Sequence, residues 1–140
     1  MALAPEKTQN VHLRDMLNSA RKAASYVKGK TFEEFWDSEV LRDAVALRVS
    51  MIGEAARHIT PETGEALPEI PFDRIRGMRN RIAHDYDRVN FKIVWEVVTR
   101  EVPTLVVNLD KHLERERRQL EARRKAQDER PPSAGMSLGI

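Results

Sequence analysis

Apolar side chains return every three or four positions through most of this sequence and nowhere alternate with polar ones for long. That spacing wraps a stripe onto one face of an α-helix and cannot line one face of a strand. The first stripe is Leu13, Met16, Leu17, Ala20, Ala24 and Val27, with Gly29 placed to end it. Thr31-Phe32-Glu33-Glu34 has the form of a capping box, so a short second helix starts there, anchored by Phe32, Phe35 and Trp36. Ser38 is placed to cap a third helix, whose stripe reads Leu41, Ala44, Leu47, Met51, Ile52, Ala55 and Ile59 until Thr60-Pro61 stops it. Residues 60–71 contain Pro61, Gly64, Pro68 and Pro71 and read as a loop. A fourth helix follows Pro71 through Phe72, Ile75, Met78 and Ile82 and ends near His84. Asn90 caps a fifth, with Phe91, Val94, Trp95, Val98, Val102, Leu105, Leu109 and Leu113 on its buried side. Pro103 predicts a kink or break near Val98 to Val102, because its ring clashes with the carbonyl four residues back. The expected fold class is all-α, a four- to five-helix bundle.

A chain of 140 residues has room for one hydrophobic core. Its 41% hydrophobic and 33% charged residues suit a strongly amphipathic, soluble domain. The absence of cysteine excludes disulfides, thiolate catalysis and cysteine-ligated metal sites, and no stretch is long and apolar enough for a signal peptide or a membrane span. A cytoplasmic location without membrane attachment is expected. Residues 114–130 hold seven Lys/Arg against five Asp/Glu, which accounts for the formal charge of +2 of the whole chain. Residues 1–113 are therefore expected to form the helical domain and 114–140 a charged C-terminal extension, either a solvated helix or a mobile arm, partly disordered over its last ten residues.

Within the otherwise balanced domain, Arg74, Arg76, Arg79, Arg81, Arg88 and Lys92 face only Asp85 and Asp87, so an anionic ligand would feel the protein most there. The same stretch holds Arg79-Asn80-Arg81-Ile82-Ala83-His84-Asp85-Tyr86. A planar, permanently charged guanidinium suits phosphate oxygens, and an imidazole can take and give a proton near neutral pH. Together they suit phosphodiester cleavage, and in RNA the neighbouring 2′-hydroxyl can serve as nucleophile, so no metal and no cofactor is required. Five residues turn an ideal helix to about 140°, so Arg79 and His84 do not share a face of an unbroken helix. Their convergence needs either a helix end between them or a second copy of the chain, and a two-fold dimer would supply both an acid and a base.

The spacing Arg-x4-His-x-Tyr resembles the motif of HEPN-domain ribonucleases, and within them the HepT-type toxins of toxin–antitoxin pairs. Met51-Ile52-Gly53-Glu54-Ala55-Ala56-Arg57 and Val89-Asn90-Phe91-Lys92-Ile93-Val94-Trp95 are similar to that group too, so the resemblance covers roughly residues 11–113. It implies a HEPN-like bundle that works as a homodimer, a metal-independent endoribonuclease with its site in the cleft between subunits. Arg79 would hold the scissile phosphate, His84 would act as general base or acid, and Asn80 would orient the site. The products would be a 2′,3′-cyclic phosphate and a 5′-hydroxyl. The substrate would be tRNA or mRNA, and the partner a nucleotidyltransferase antitoxin that attaches AMP to Tyr86.

Plainer roles compete for the same residues. His84 can simply end a helix, Arg79 can pair with Asp85 or Glu54, and Tyr86 can sit in the core with a wet hydroxyl. Glu54 and His58 form a helix-surface pair lacking a third ligand for a metal, while His12 and His112 stand alone. Trp36 and Trp95 read as core residues, and Arg123-Arg124-Lys125 as part of a solvated arm that could touch RNA phosphates. Two other functions remain open at this level: a non-catalytic helical partner of a nucleotidyltransferase or nucleotide, and a dimerisation module with an RNA-binding tail.

Overall fold

Caps and breakers set where this chain turns, and a computed structural model describing residues 5–131, without the side chains of residues 5–7 and Tyr86, shows each of them in use. Helix α1 (Pro5–Val27) ends where Gly29 takes a positive φ of 72°, the left-handed turn that a side chain would resist. Helix α2 (Phe32–Asp37) starts on the expected capping box: Glu34 N–H donates to Thr31 Oγ1 at 3.1 Å, and Thr31 N–H donates to Glu34 Oε1 at 3.0 Å. Helix α3 (Glu39–Ala56) is capped by Ser38, whose Oγ accepts from Leu41 N–H at 3.1 Å.

The expected loop at 60–71 is corrected. Residues Pro61–Ala66 form a short helix, α4, because Thr60 caps it by accepting from Thr63 N–H and Pro61 occupies the first turn, where no backbone N–H is needed. Leu67 and Ile70 then bury themselves and return the chain to the bundle. Helix α5 (Phe72–His84) follows, then a 3₁₀ turn at Tyr86–Arg88. Asn90 Oδ1 accepts from Lys92 N–H at 3.0 Å to start α6 (Phe91–Glu96).

Pro103 acts as expected on the last long helix, in a specific way. Lacking an N–H for the ladder, it leaves Val97–Glu101 as a π-helical turn between α6 and α7 (Val102–Asp128). The charged extension is thus helical through Asp128, and the last nine residues lie outside the described part. Among the described residues there is no strand, and the all-α reading holds. No helix is long and apolar enough to cross a membrane.

One core unites α1, α3, α5 and α7: α1 lies against α3 and α7, and α5 lies chiefly on α3. Phe35, Leu13, Met16, Leu109, Val45, Val94 and Val98 are fully buried in it. The third-helix stripe needs correction, because α3 buries Val45, Ala46, Val49, Ile52, Ala55 and Ala56 but leaves Leu47 56% and Met51 43% exposed. Its sequence is apolar around most of the circumference, and packing against α1 and α5, not periodicity, selects the face. Trp36, expected in the core, is 52% exposed, since a helix of less than two turns buries one face and Phe35 fills it. Its ring is covered instead by Phe32 and by the Arg42 guanidinium, 5.4 Å from the ring centroid.

Candidate active site

The motif lies on α5, and its position there is set by a missing side chain on α3. A Cβ built on Gly53 would stand 2.1 Å from Arg79 Cβ, 2.9 Å from Arg79 Cγ and 3.0 Å from the Ile75 carbonyl oxygen. Only glycine lets the two helices approach this closely. The Arg79 stem therefore lies flat across α3, and its guanidinium meets the next residue, Glu54, with Nη2 3.1 Å from Oε2. Arg79 Nη1 also donates to Asn80 Oδ1 at 3.4 Å.

Glu54 is the hub of a small polar cluster. Arg57 Nη1 reaches the same Oε2 at 3.2 Å, and His58 Nε2 lies 3.9 Å from Oε1. The His58 ring stacks on His12 of α1, centroids 4.6 Å apart and planes inclined by 15°, so His12 does not stand alone as expected. Gln9 pins this corner, its amide donating to the His58 carbonyl at 2.9 Å and accepting from Thr60 N–H at 2.8 Å. One turn before Arg79, Arg76 donates to the Ala56 carbonyl at 2.9 Å at the negative end of α3. Sequence reasoning found the Glu54–His58 pair and offered Glu54 as a partner for Arg79. It missed Gly53, whose signal was a glycine inside the strongest helical pattern, and the Gln9 clamp, for which no local signal exists.

His84 is the last residue of α5, exposed, with no hydrogen-bond or ionic partner among the described residues. Asn80 is exposed beside Arg79. Tyr86 opens the 3₁₀ turn two residues on, and its side chain lies outside the described part. Because α5 continues without a break from Arg79 to His84, the two side chains leave the axis about 140° apart and about 7.5 Å along it. The structure brings Arg79 to Asn80 and Glu54, and it does not bring His84 to Arg79 within one chain.

A cavity of about 670 Å³ opens between α3, α5, the π turn and α7. Ile52, Ile75, Met78 and Val97 give it apolar walls and Arg74, Arg81 and Arg100 a basic rim, but neither Arg79 nor His84 lines it. Among the described residues no three His, Asp or Glu side chains are disposed to hold a metal ion.

The motif helix thus leaves Asn80 and His84 exposed to solvent, and comparison with known proteins gives the class to which the bundle belongs. The profile of the HepT-like family, described as ribonuclease HepT-like, matches residues 16–112, and the chain belongs to that family. A protein of Caldanaerobacter subterraneus subsp. tengcongensis, named as a candidate RNase, is 32% identical over 111 residues, covering 79% of this chain and 99% of the relative. Another of Methanocaldococcus jannaschii, similarly named, is 30% identical over 107 residues, covering 76% and 88%. A third, of Thermococcus cleftensis, is provisionally named ribonuclease HepT and is 24% identical over 106 residues, covering 76% and 96%. No solved structure matches the chain. The protein is a ribonuclease of the HepT-like family, and RNA is its substrate.

Proposed function

We propose that the protein is the toxin of a toxin–antitoxin pair, a metal-independent endoribonuclease whose site forms only where two copies meet. The observation that carries the reading is the unbroken run of α5 through His84, which leaves Arg79 and His84 on divergent faces of one chain. A second copy related by a two-fold axis supplies what one chain lacks. A surface for it is present: Val40, Leu47 and Glu54 follow one another at seven-residue spacing on α3, nearly in line, with Met51 beside them. Val40 is 80% exposed, and so this apolar line runs uncovered up to the carboxylate that holds Arg79.

In that cleft the 2′-hydroxyl oxygen attacks the adjacent phosphorus and gives its proton to one His84. The bond from phosphorus to the 5′-oxygen breaks, and the leaving oxygen takes a proton from the other His84. Arg79 bears on the charge that builds on the phosphorane oxygens, and Asn80 holds the arginine's orientation. The products are a 2′,3′-cyclic phosphate and a 5′-hydroxyl. Control by a nucleotidyltransferase antitoxin would act at Tyr86, where an added AMP places bulk and negative charge beside a site built for RNA phosphate.

The test is a heterodimer of one wild-type and one His84→Ala chain, assayed on RNA with chelator present. A shared cleft using one imidazole as base and the other as acid predicts loss of nearly all activity. Half of the wild-type rate would show two independent sites and end this reading. A pure wild-type protein that cuts no tRNA or mRNA yet binds a nucleotidyltransferase would return the non-catalytic alternative.

A further inference from the structure

We propose that the outer part of α7 is an RNA-backbone contact surface, a row of unpaired guanidiniums that holds substrate away from the cleavage site. The inference rests on the ribonuclease reading and concerns residues beyond the family match, which ends at residue 112. Past Leu113 the helix leaves the core, and residues 117–130 are exposed throughout.

Charges on this stretch are sorted by face. At 100° per residue, Glu114, Arg117, Arg118 and Glu121 fall on one side, and they neutralise one another. Arg117 bridges Glu114 and Glu121 one turn to either side, and Arg118 reaches Glu114 at 3.3 Å. On the other side Ala122, Arg115, Ala126, Gln119 and Arg123 occupy an arc of about 100° that contains no carboxylate, and Arg130 continues it in the turn after the helix. The side chains of Arg115, Arg123 and Arg130 have no ionic or hydrogen-bonded partner among the described residues. Arg124 and Lys125 also lack an ionic partner among the described residues, but they lie on the side that carries Glu114, Glu121 and Asp128, so only the arc presents cations with no carboxylate among them. Arg115 and Arg123 stand about 12 Å apart along the axis, and Arg130 follows just past the helix end.

A guanidinium is always charged and grips phosphate oxygens in a fork, so the row fits a polyphosphate strand. An acidic protein would also feel the charge, but the arc offers only Ala122 and Ala126 as apolar groups, and a protein interface needs a larger anchor at its centre. An RNA backbone needs none.

The experiment compares the full-length wild type with the triple variant Arg115→Gln, Arg123→Gln and Arg130→Gln. A matched control, Arg117→Gln, Arg118→Gln and Arg124→Gln, removes as many charges from the side that carries the carboxylates. Binding of tRNA is measured across a salt series, and cleavage is followed on tRNA and on a ribodinucleotide too short to reach the arm. Circular dichroism checks that α7 persists, as glutamine is a comparable helix former.

The expected result is a salt slope lower by about 2 and a KM on tRNA raised about tenfold in the first variant alone, with kcat and dinucleotide cleavage unchanged. Wild-type affinity and slope in that variant, or equal losses in both variants, would overturn the proposal. So would intact RNA binding with loss of binding to a protein partner. If wild type cuts neither substrate, the ribonuclease reading fails on its own, while tRNA affinity and its salt slope still decide the surface.

Discussion

Arg79 owes its position to two neighbours on α3, one acting by absence and one by charge. Gly53→Ala would drive a methyl group into the Arg79 stem, and overpacking of that kind costs about 1–3 kcal/mol. Against it stands a helix-propensity gain of about 1 kcal/mol. A net loss of about 1 kcal/mol is expected in thermal or urea unfolding, together with a fall in kcat/KM as α5 is pushed away. A Gly53→Ala variant as stable and active as wild type would show that the helices slide apart freely. Glu54→Gln separates charge from packing. Glu54 is half-exposed, so its pairs contribute little stability, and the melting temperature should barely move. Cleavage should fall tenfold or more, up to about a hundredfold, because Arg79 loses the partner that aims it. Unchanged kinetics would make the ion pair incidental.

At the scale of elements, the caps explain why short helices persist in this chain. Helix α2 has only six residues and is held by the reciprocal bonds of Thr31 and Glu34. The Thr31 backbone N–H holds the Glu34 carboxyl below its ordinary value, with the Thr31 hydroxyl adding to the same effect. A depressed folded pKa means the stabilisation is present above the usual carboxylate pKa of about 4.3 and disappears as pH falls through the folded value. The melting temperature of wild type should therefore exceed that of Glu34→Gln at pH 7, and the gap should close on acidification below about pH 4. A gap independent of pH would mean the carboxylate charge plays no part. Further along, Pro103 was legible as a disturbance of the last long helix, but its form was not. Whether a proline kinks, breaks or widens a helix depends on what packs on either side, and here the buried residues Val98 and Val102 keep the axis running while one extra residue enters the turn.

For the whole molecule the open question is the exposed line on α3. A monomer that leaves Val40, Leu47 and Met51 in water carries an apolar seam of the kind another surface covers. Replacing Leu47 and Met51 together with glutamate should yield a monomer by light scattering, with its helical circular dichroism intact and its RNA cleavage lost. A dimer that survives this change would place the two-fold contact elsewhere. The fold class and the caps at Thr31, Ser38 and Asn90 could be read from the sequence, as could the end of α5 near His84 and the family, because each is written within a few neighbouring residues. Periodicity and capping chemistry act over one or two turns, and nothing distant is needed to see them. Tertiary structure alone decided which side of α3 is buried, since a helix apolar nearly all round has no preferred face until α1 and α5 pack on it. It alone seated Arg79 on Glu54 and stacked His12 on His58, contacts between residues far apart in sequence. Such pairings depend on how closely two helices approach, and that distance is set at Gly53 by the atoms of a different helix.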